Sequence, residues 1–370
     1  MTSAINMAAL SVESLIGQLS NMYCKVIKAG LSPKILPSVM LWGQPGIGKS
    51  QAVREVAREI QDETGKNVVV TDVRLLLFNP IDLRGIPTAN EDKTLAVWLK
   101  PKIFQMDDSK DIVNILFLDE ISAAPQSVQA AAYQITLDRV VGEHKLPDNC
   151  IVIAAGNRVT DKSVAFRMPK ALANRLCHIE VEGSFESWKK WAIENGVNEK
   201  VIGFLSFRPD YLNTFDATKD DLAFATPRSW EMASNILNTV DPEPENVTAL
   251  LAGCLGSGIA MEFQYWCRIY HKLPDIEEIF SGTSKAELPT APDQLYALVS
   301  AMTAYAREHK DEYGLIGNSI YYAQAMPADF TMLLMKNYMA IEKNYINKLK
   351  KVPEFYEFLQ KKGAILNGAY

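Results

Sequence analysis

The chain has 370 residues, enough for two or three domains, and its 48% hydrophobic and 22% charged residues are typical of a globular protein with a buried core. Lys and Arg total 38 against 44 Asp and Glu, and the resulting net charge of −6 disfavours nucleic acid or an anionic membrane surface as the main partner. No apolar run approaches the roughly 18 residues of a membrane span. The five cysteines form no C-x-x-C pair and no export signal is visible, so we expect reduced thiols and a cytoplasmic location.

The N-terminal half predicts an α/β fold. The first 30 residues have the apolar spacing of an amphipathic helix, and five β-rich apolar runs follow, most of them separated by stretches of helix length. Apolar runs bounded by helices are typical of parallel strands buried on both faces, so we expect a parallel five-stranded sheet between helices. The predicted strands are Val39–Trp42, Val68–Val73, Ile115–Leu118, Ile151–Ala155 and His178–Val181, and the clearest helices are Gln51–Glu63 and Gln126–Asp138.

The pattern changes after Glu182, where strand signals become rare. Helical patterns fill the rest of the chain and are interrupted by turn-rich segments such as Ser281–Pro292. We therefore predict an α/β core over residues 1–183, a helical domain over 184–270 and a helical C-terminal extension over 271–370.

A phosphate-binding loop is predicted between the first strand and the helix after it. The segment matches G-x-x-x-x-G-K-[ST], in which glycines let backbone N–H groups face phosphate oxygens and the helix N-terminus adds positive charge. We expect ATP and Mg²⁺ here, with Lys49 on the β- and γ-phosphates and Ser50 on the metal. The alternative, a plain glycine turn, is disfavoured by the strand–loop–helix context. The predicted site consists of Gly43, Gln44, Pro45, Gly46, Ile47, Gly48, Lys49 and Ser50, followed by Gln51.

Two carboxylate residues, Asp119 and Glu120, directly follow the apolar run Ile115–Leu118. In a doubly wound sheet the C-terminal strand ends line the ligand crevice, so we expect Asp119 near Mg²⁺, through a water molecule. Glu120 is placed to act as general base on the attacking water. The alternative reading is a solvated helix start, which a phosphate loop about 70 residues upstream makes the weaker one.

A third strand tip ends in a polar residue. Asn157 follows the run Ile151–Gly156, and its amide is able to orient the catalytic water or contact the γ-phosphate. Taken alone, an asparagine at this position is more often a turn residue that caps the next segment.

Five motifs follow one another along the chain: GQPGIGKS (43–50), ILFLDE (115–120), AAGN (154–157), ALANRL (171–176) and ATPRSW (225–230). In this order they resemble the motifs of the AAA+ ATPases and, among them, of the MoxR-like branch. The similarity spans about residues 35 to 240, and a further segment, NPIDLRG (79–85), resembles the start of a hairpin inserted before the acidic strand in that branch.

The resemblance implies roles for polar residues outside the phosphate loop. It implies that Asn157 is the sensor beside the γ-phosphate and that Arg175 is an arginine finger reaching the neighbouring subunit's nucleotide. Arg228 would contact the γ-phosphate of its own subunit from a helical lid over residues 184–270. Guanidinium groups suit both tasks because they stay charged and bind phosphate oxygens in fork geometry. Surface salt bridges are the alternative for each arginine, and Arg158 and Arg167 are rival finger candidates.

The resemblance also implies an activity. MoxR-like proteins are ATP-hydrolysing remodelling chaperones that help mature enzymes or insert cofactors, often with a partner that has a von Willebrand factor A domain. An arginine acting in trans implies a ring, a hexamer in that family, that works on a protein client. The alternatives are a nucleotide-gated assembly scaffold with low turnover and, less favoured by the acidic charge, a nucleic-acid motor.

Overall fold

We describe a computed structural model of the chain over residues 9–158, 168, 173–174, 176–269, 272–284 and 287–367, the last seven of these by backbone alone. The chain divides into two compact units. The first comprises residues 1–184 and 217–219, and the second comprises residues 185–216 and 220–370. No helix in the described ranges has the length and apolarity needed to cross a membrane.

A parallel sheet forms the centre of the first unit. Its six strands lie in the order β1-β10-β2-β9-β6-β3, and neighbouring strands are parallel throughout. The prediction of five strands was therefore wrong by one, because the short strand β1 adds to the edge beside β10 within a stretch predicted to be wholly helical. The six strands are β1 (Ala9–Ser11), β2 (Val39–Trp42), β3 (Asn67–Arg74), β6 (Ile112–Asp119), β9 (Cys150–Gly156) and β10 (Cys177–Glu182).

Alternate side chains of the central strands enter two separate hydrophobic cores. Leu41, Phe117 and Ile153 pack with helices on one face of the sheet, whereas Met40 and Leu116 pack with helices on the other. Burial on both faces is why these strands are continuous apolar runs in the sequence. The helices of this unit are α1 (Val12–Lys28), α2 (Lys49–Thr64), α3 (Pro80–Arg84) and α4 (Gln126–Asp138).

Two small antiparallel hairpins complete the first unit. The first pairs β4 (Ile86–Ala89) with β5 (Ala96–Leu99), in the region where the sequence indicates an inserted hairpin. The second, β7 (Val140–Val141) with β8 (His144–Lys145), was not predicted. The imidazole of His144 lies 2.7 Å from the Trp98 carbonyl oxygen, which connects the two hairpins.

The second unit is helical in its described residues. Its buried side chains form one hydrophobic cluster that extends from Trp188 to Phe358 and includes residues on both sides of the predicted boundary at 270/271, which stays a prediction. The helices are α5 (Phe185–Glu194), α6 (Glu199–Phe207), α7 (Pro227–Thr239), α8 (Thr248–Leu255), α9 (Ser257–Cys267), α10 (Ile276–Ser281), α11 (Pro292–Glu308), α12 (Tyr313–Ala323), α13 (Ala328–Met339), α14 (Ile346–Leu349) and α15 (Pro353–Asn367).

One buried charge in this unit is poorly compensated. Lys189 on α5 is only 4% exposed and forms no ion pair or hydrogen bond within the described ranges. The pKa of Lys189 is lowered from 10.5 to about 8, mainly by burial; the charge of Glu186 partly opposes the shift, and the charge of Lys336 adds to it. The folded state therefore loses stability as the pH falls from about 10.5 towards 8, and the whole cost is present at pH 7.

Replacing Lys189 with methionine is expected to stabilise the second unit. A shift of this size corresponds to roughly 3 kcal/mol, part of which Lys189→Met recovers by filling the same space without a charge. We expect the midpoint of thermal unfolding at pH 7 to rise by about 3–8 °C, with a smaller gain at pH 10. Lys190→Met, at the exposed neighbouring position, is the control, and an equal gain for both variants would contradict the explanation.

Candidate active site

The loop between β2 and α2 has the backbone shape expected for a phosphate cradle. Gly46 and Gly48 have φ angles of 76° and 105°, in the left-handed region that side chains disfavour. Helix α2 then starts at Lys49, with Ala52 N–H donating to the Gly48 carbonyl at 2.8 Å. The first N–H groups of a helix have no partner within it, so this end of α2 is suited to bind an anion.

The start of the loop is held between two strands. The Gly43 N–H donates to the Gly156 carbonyl of β9 at 3.3 Å, and a Cβ at position 43 would lie 2.8 Å from the Val181 carbonyl oxygen of β10. Only glycine permits that approach without displacing the backbone. The loop therefore occupies a fixed position at the carboxyl edge of the sheet.

Lys49 connects the loop to the neighbouring strand tip. Its side chain is 8% exposed, and Nζ donates to the carbonyl oxygens of Gly43 at 2.6 Å and Gln44 at 2.9 Å. Nζ also donates to Oδ1 of Asn157 at 3.1 Å. The predicted phosphate-binding lysine and the predicted polar sensor thus lie in direct contact.

Ser50 lies beside the first of the two predicted carboxylates. Its hydroxyl donates to Oδ2 of Asp119 at 2.9 Å, which joins α2 to the end of β6. A hydroxyl and a carboxylate oxygen at this distance form the kind of hard oxygen pair that Mg²⁺ prefers. Asp119 and Ser50 are both half-buried, so solvent reaches the pair.

Glu120 occupies a turn with unusual backbone geometry. Its φ of 58° is left-handed, a conformation that costs a non-glycine residue about 1–2 kcal/mol. Its N–H donates to Oδ1 of Asp119 at 2.8 Å, so the two carboxylate-bearing residues are fixed relative to each other. The Glu120 side chain forms no hydrogen bond within the described ranges and is half-buried, so solvent reaches it.

The negative charge of Asp119 acts on a third carboxylate, that of Asp72. Burial raises the pKa of Asp72 on β3, and the charge of Asp119 raises it further, while Arg74 and Arg54 oppose the change. Arg54 on α2 lies 3.8 Å from Asp72, measured between Nη2 and Oδ2. The charge of Asp119 therefore acts as far as β3, where Arg54 and Arg74 partly offset it.

These residues fit a nucleotide with Mg²⁺. The left-handed glycines form a cradle that a Cβ would strain, Lys49 supplies a positive charge, and Ser50 with Asp119 supplies two oxygen ligands. No group of three or more His, Cys, Asp or Glu side chains able to hold a metal occurs in the described part of the chain. That finding is compatible with Mg²⁺ because this ion usually binds through one or two carboxylates and phosphate oxygens.

The other predicted site residues fall in several places. Gln51 lies on α2, and its Nε2 donates to Oε1 of Glu55 on the same helix at 3.1 Å. Ile47 is buried in the core of the first unit. Arg228 is exposed near the start of α7 in the second unit. Arg158, a rival finger candidate, forms an ion pair with Glu180 on β10. Arg175 and Arg167 lie outside the described residues.

Sequence reasoning missed one polar residue next to this site. The hydroxyl oxygen of Ser122, which is 5% exposed, accepts a hydrogen bond from the Asn157 N–H at 2.9 Å. Ser122 follows Glu120 by two positions, but serine is common in turns after strands, so its identity alone gives no signal. Only the pairing of β6 with β9 brings it to Asn157.

Comparison with known proteins gives a family for this part of the chain. Residues 38–178 match the model of the "ATPase family associated with various cellular activities (AAA)". The match covers 141 of the 370 residues and shows what this part of the chain is similar to. The matched range includes the loop between β2 and α2, Asp119 at the end of β6, Glu120 after it, and Asn157.

Other similarities are weaker. A 35-residue segment is 54% identical to "Uncharacterized protein ycf45" of Porphyra purpurea, a match that spans 10% of this chain and only 6% of that protein. A Thermotoga maritima RuvB mutant is 15% identical, with a TM-score of 0.35 and coverage of 80% of this chain and 86% of RuvB. A putative ATPase from Cytophaga hutchinsonii is 13% identical, with a TM-score of 0.33 and coverage of 90% and 93%. Structural similarity at this level assigns neither fold nor function.

Removing the Lys49 ammonium is expected to abolish tight nucleotide binding. Lys49→Ala deletes the positive charge in the loop, and losing charge-assisted hydrogen bonds to phosphate should raise the Kd for ATP by about a hundredfold. Equilibrium titration with ATP and Mg²⁺ measures the change. Lys25→Ala, an exposed lysine on α1, should leave the Kd unchanged, and unaltered binding by Lys49→Ala would contradict the site.

Proposed function

We propose that the chain is an ATP-hydrolysing AAA+ enzyme of the MoxR-like type that remodels a protein client. The observation that carries the proposal is that two contacts lie at one sheet edge, Lys49 with Asn157 at 3.1 Å and Ser50 with Asp119 at 2.9 Å. The family match over residues 38–178 supports an ATPase. The net charge of −6 favours a protein client over a nucleic acid.

The polar residues gathered at the carboxyl ends of the strands have separate roles in the proposed hydrolysis. Lys49 and the N–H groups of the loop bind the β- and γ-phosphates, and Ser50 and Asp119 hold Mg²⁺. When bound, the ion neutralises charge that develops on the phosphate oxygens. Glu120 takes the proton of the attacking water, and the Asn157 amide orients that water or the γ-phosphate. In this proposal the Lys49–Asn157 contact is exchanged for contacts of both side chains with phosphate.

Coupling of hydrolysis to work on a client requires residues beyond this end of the sheet. We assign Arg175 as an arginine finger that acts on the neighbouring subunit's nucleotide, and Arg228 as a contact from a helical lid of its own subunit. Under this assignment one chain holds an incomplete site and works in a ring, a hexamer in our proposal. Loss of the γ-phosphate then releases both arginines and changes the lid angle, the motion that acts on the client. We also propose, from the MoxR-like resemblance, that the assembly works with a partner protein that has a von Willebrand factor A domain.

Glu120→Gln separates hydrolysis from binding. The amide cannot take a proton, so we expect turnover to fall at least a hundredfold while the Kd for ATP changes less than about threefold. Phosphate release and ATP titration give the two values, and Glu91→Gln in the exposed first hairpin is the control. Normal turnover by Glu120→Gln would contradict its role as base. Slow wild-type turnover that no protein client stimulates, with a nucleotide-dependent change in assembly size, would favour a scaffold.

Mixed assemblies test the finger assignment. Arg175→Ala and Lys49→Ala subunits are each expected to be inactive alone, because every nucleotide site in such an assembly has the defect. In our assignment the two defects lie on opposite sides of one subunit contact. A mixture contains contacts with neither defect, so we expect it to recover part of the turnover. An intact assembly with no recovery would move the role to another arginine.

A further inference from the structure

A buried serine links the two polar strand tips of the site. Ser122 lies in the turn that follows Glu120, and its Oγ accepts the N–H of Asn157 at 2.9 Å. In the same turn the Ile121 N–H donates to the Ala155 carbonyl at 3.0 Å. Two hydrogen bonds, one at Ala155 and one at Asn157, therefore fix the residues after Glu120 against the end of β9.

Close packing leaves this link little freedom. A Cβ at position 156 would lie 2.8 Å from Oγ of Ser122 and 2.9 Å from Cε of Met40, so Gly156 is what lets the serine approach β9. On the other side, Nε2 of Gln129 donates to the carbonyls of Ala124 at 3.0 Å and Ser122 at 3.4 Å. The turn is thus held from α4 and from β9 together.

The link joins the two groups that must cooperate in hydrolysis. Glu120 precedes Ser122 in one turn and Asn157 receives the Ser122 contact, while the Asn157 amide reaches Lys49. A base and a polar sensor act on one water and one γ-phosphate, and an error of about 1 Å in their separation costs much of the rate. We propose that Ser122 is a positioning residue that sets the distance between Glu120 and Asn157. This inference rests on the proposed function.

A double-mutant cycle of Ser122→Ala and Asn157→Ala tests the proposal. Loss of one hydrogen bond should lower kcat of Ser122→Ala about fivefold to tenfold, with the Kd for ATP and the thermal midpoint near wild type. In the Asn157→Ala background the same change should lower kcat by less than about twofold, because Ser122 acts through Asn157. Ser127→Ala, an exposed serine on α4, should leave kcat unchanged.

The outcomes separate the inference from the function on which it rests. Fully additive losses in the cycle, or loss of ATP binding together with turnover in Ser122→Ala, would overturn the positioning role but leave the ATPase intact. Normal turnover by Asn157→Ala alone would instead contradict the role of Asn157 in the proposed function. Gly156→Ala is a second variant, and the added Cβ should reproduce the fall in kcat by displacing Ser122.

Discussion

The hydrogen bonds that Lys49 donates to the loop carbonyls and to Asn157 are the constraint on which the rest of the site depends. A lysine ammonium at 8% exposure needs oxygen partners, and here the loop carbonyls and Asn157 provide them. Those partners are available only because β2 and β9 are adjacent and parallel, so that both end at the same edge. The loop therefore takes its shape from the sheet as well as from its own glycines.

The same geometry explains why the residues that we propose as catalytic come from distant parts of the sequence. Strand β6 pairs with β9 on the side away from β2, and Leu118 lies opposite Ala154. Asp119 and Glu120 thus emerge next to Asn157, and α2 carries Ser50 across to Asp119. Strand pairing in one parallel sheet thus brings the loop, the two carboxylates and Asn157 to the same end of the strands.

Much of this was predictable because the signals are local. The strands that were predicted and the start of α2 follow from apolar runs and a glycine-rich loop, and the structure has them within a few residues of the prediction. Strand β1 was missed because it has three residues at a sheet edge, too few for a pattern, and residues 1–30 otherwise have helical spacing. Ser122 was missed because its partner is 35 positions away and is reached only through strand pairing. The roles of Arg175 and Arg228 stay predictions, since they depend on a neighbouring subunit and on a second unit.

The central claim is that this edge of the sheet binds a nucleoside triphosphate together with Mg²⁺. Calorimetric titration of the purified chain with a non-hydrolysable ATP analogue, in Mg²⁺ and again in excess EDTA, tests it most directly. The account predicts one nucleotide bound per chain in Mg²⁺, with affinity at least about tenfold weaker in EDTA because Ser50 and Asp119 then have no ion to hold. No uptake of the analogue, or uptake indifferent to Mg²⁺, would contradict it.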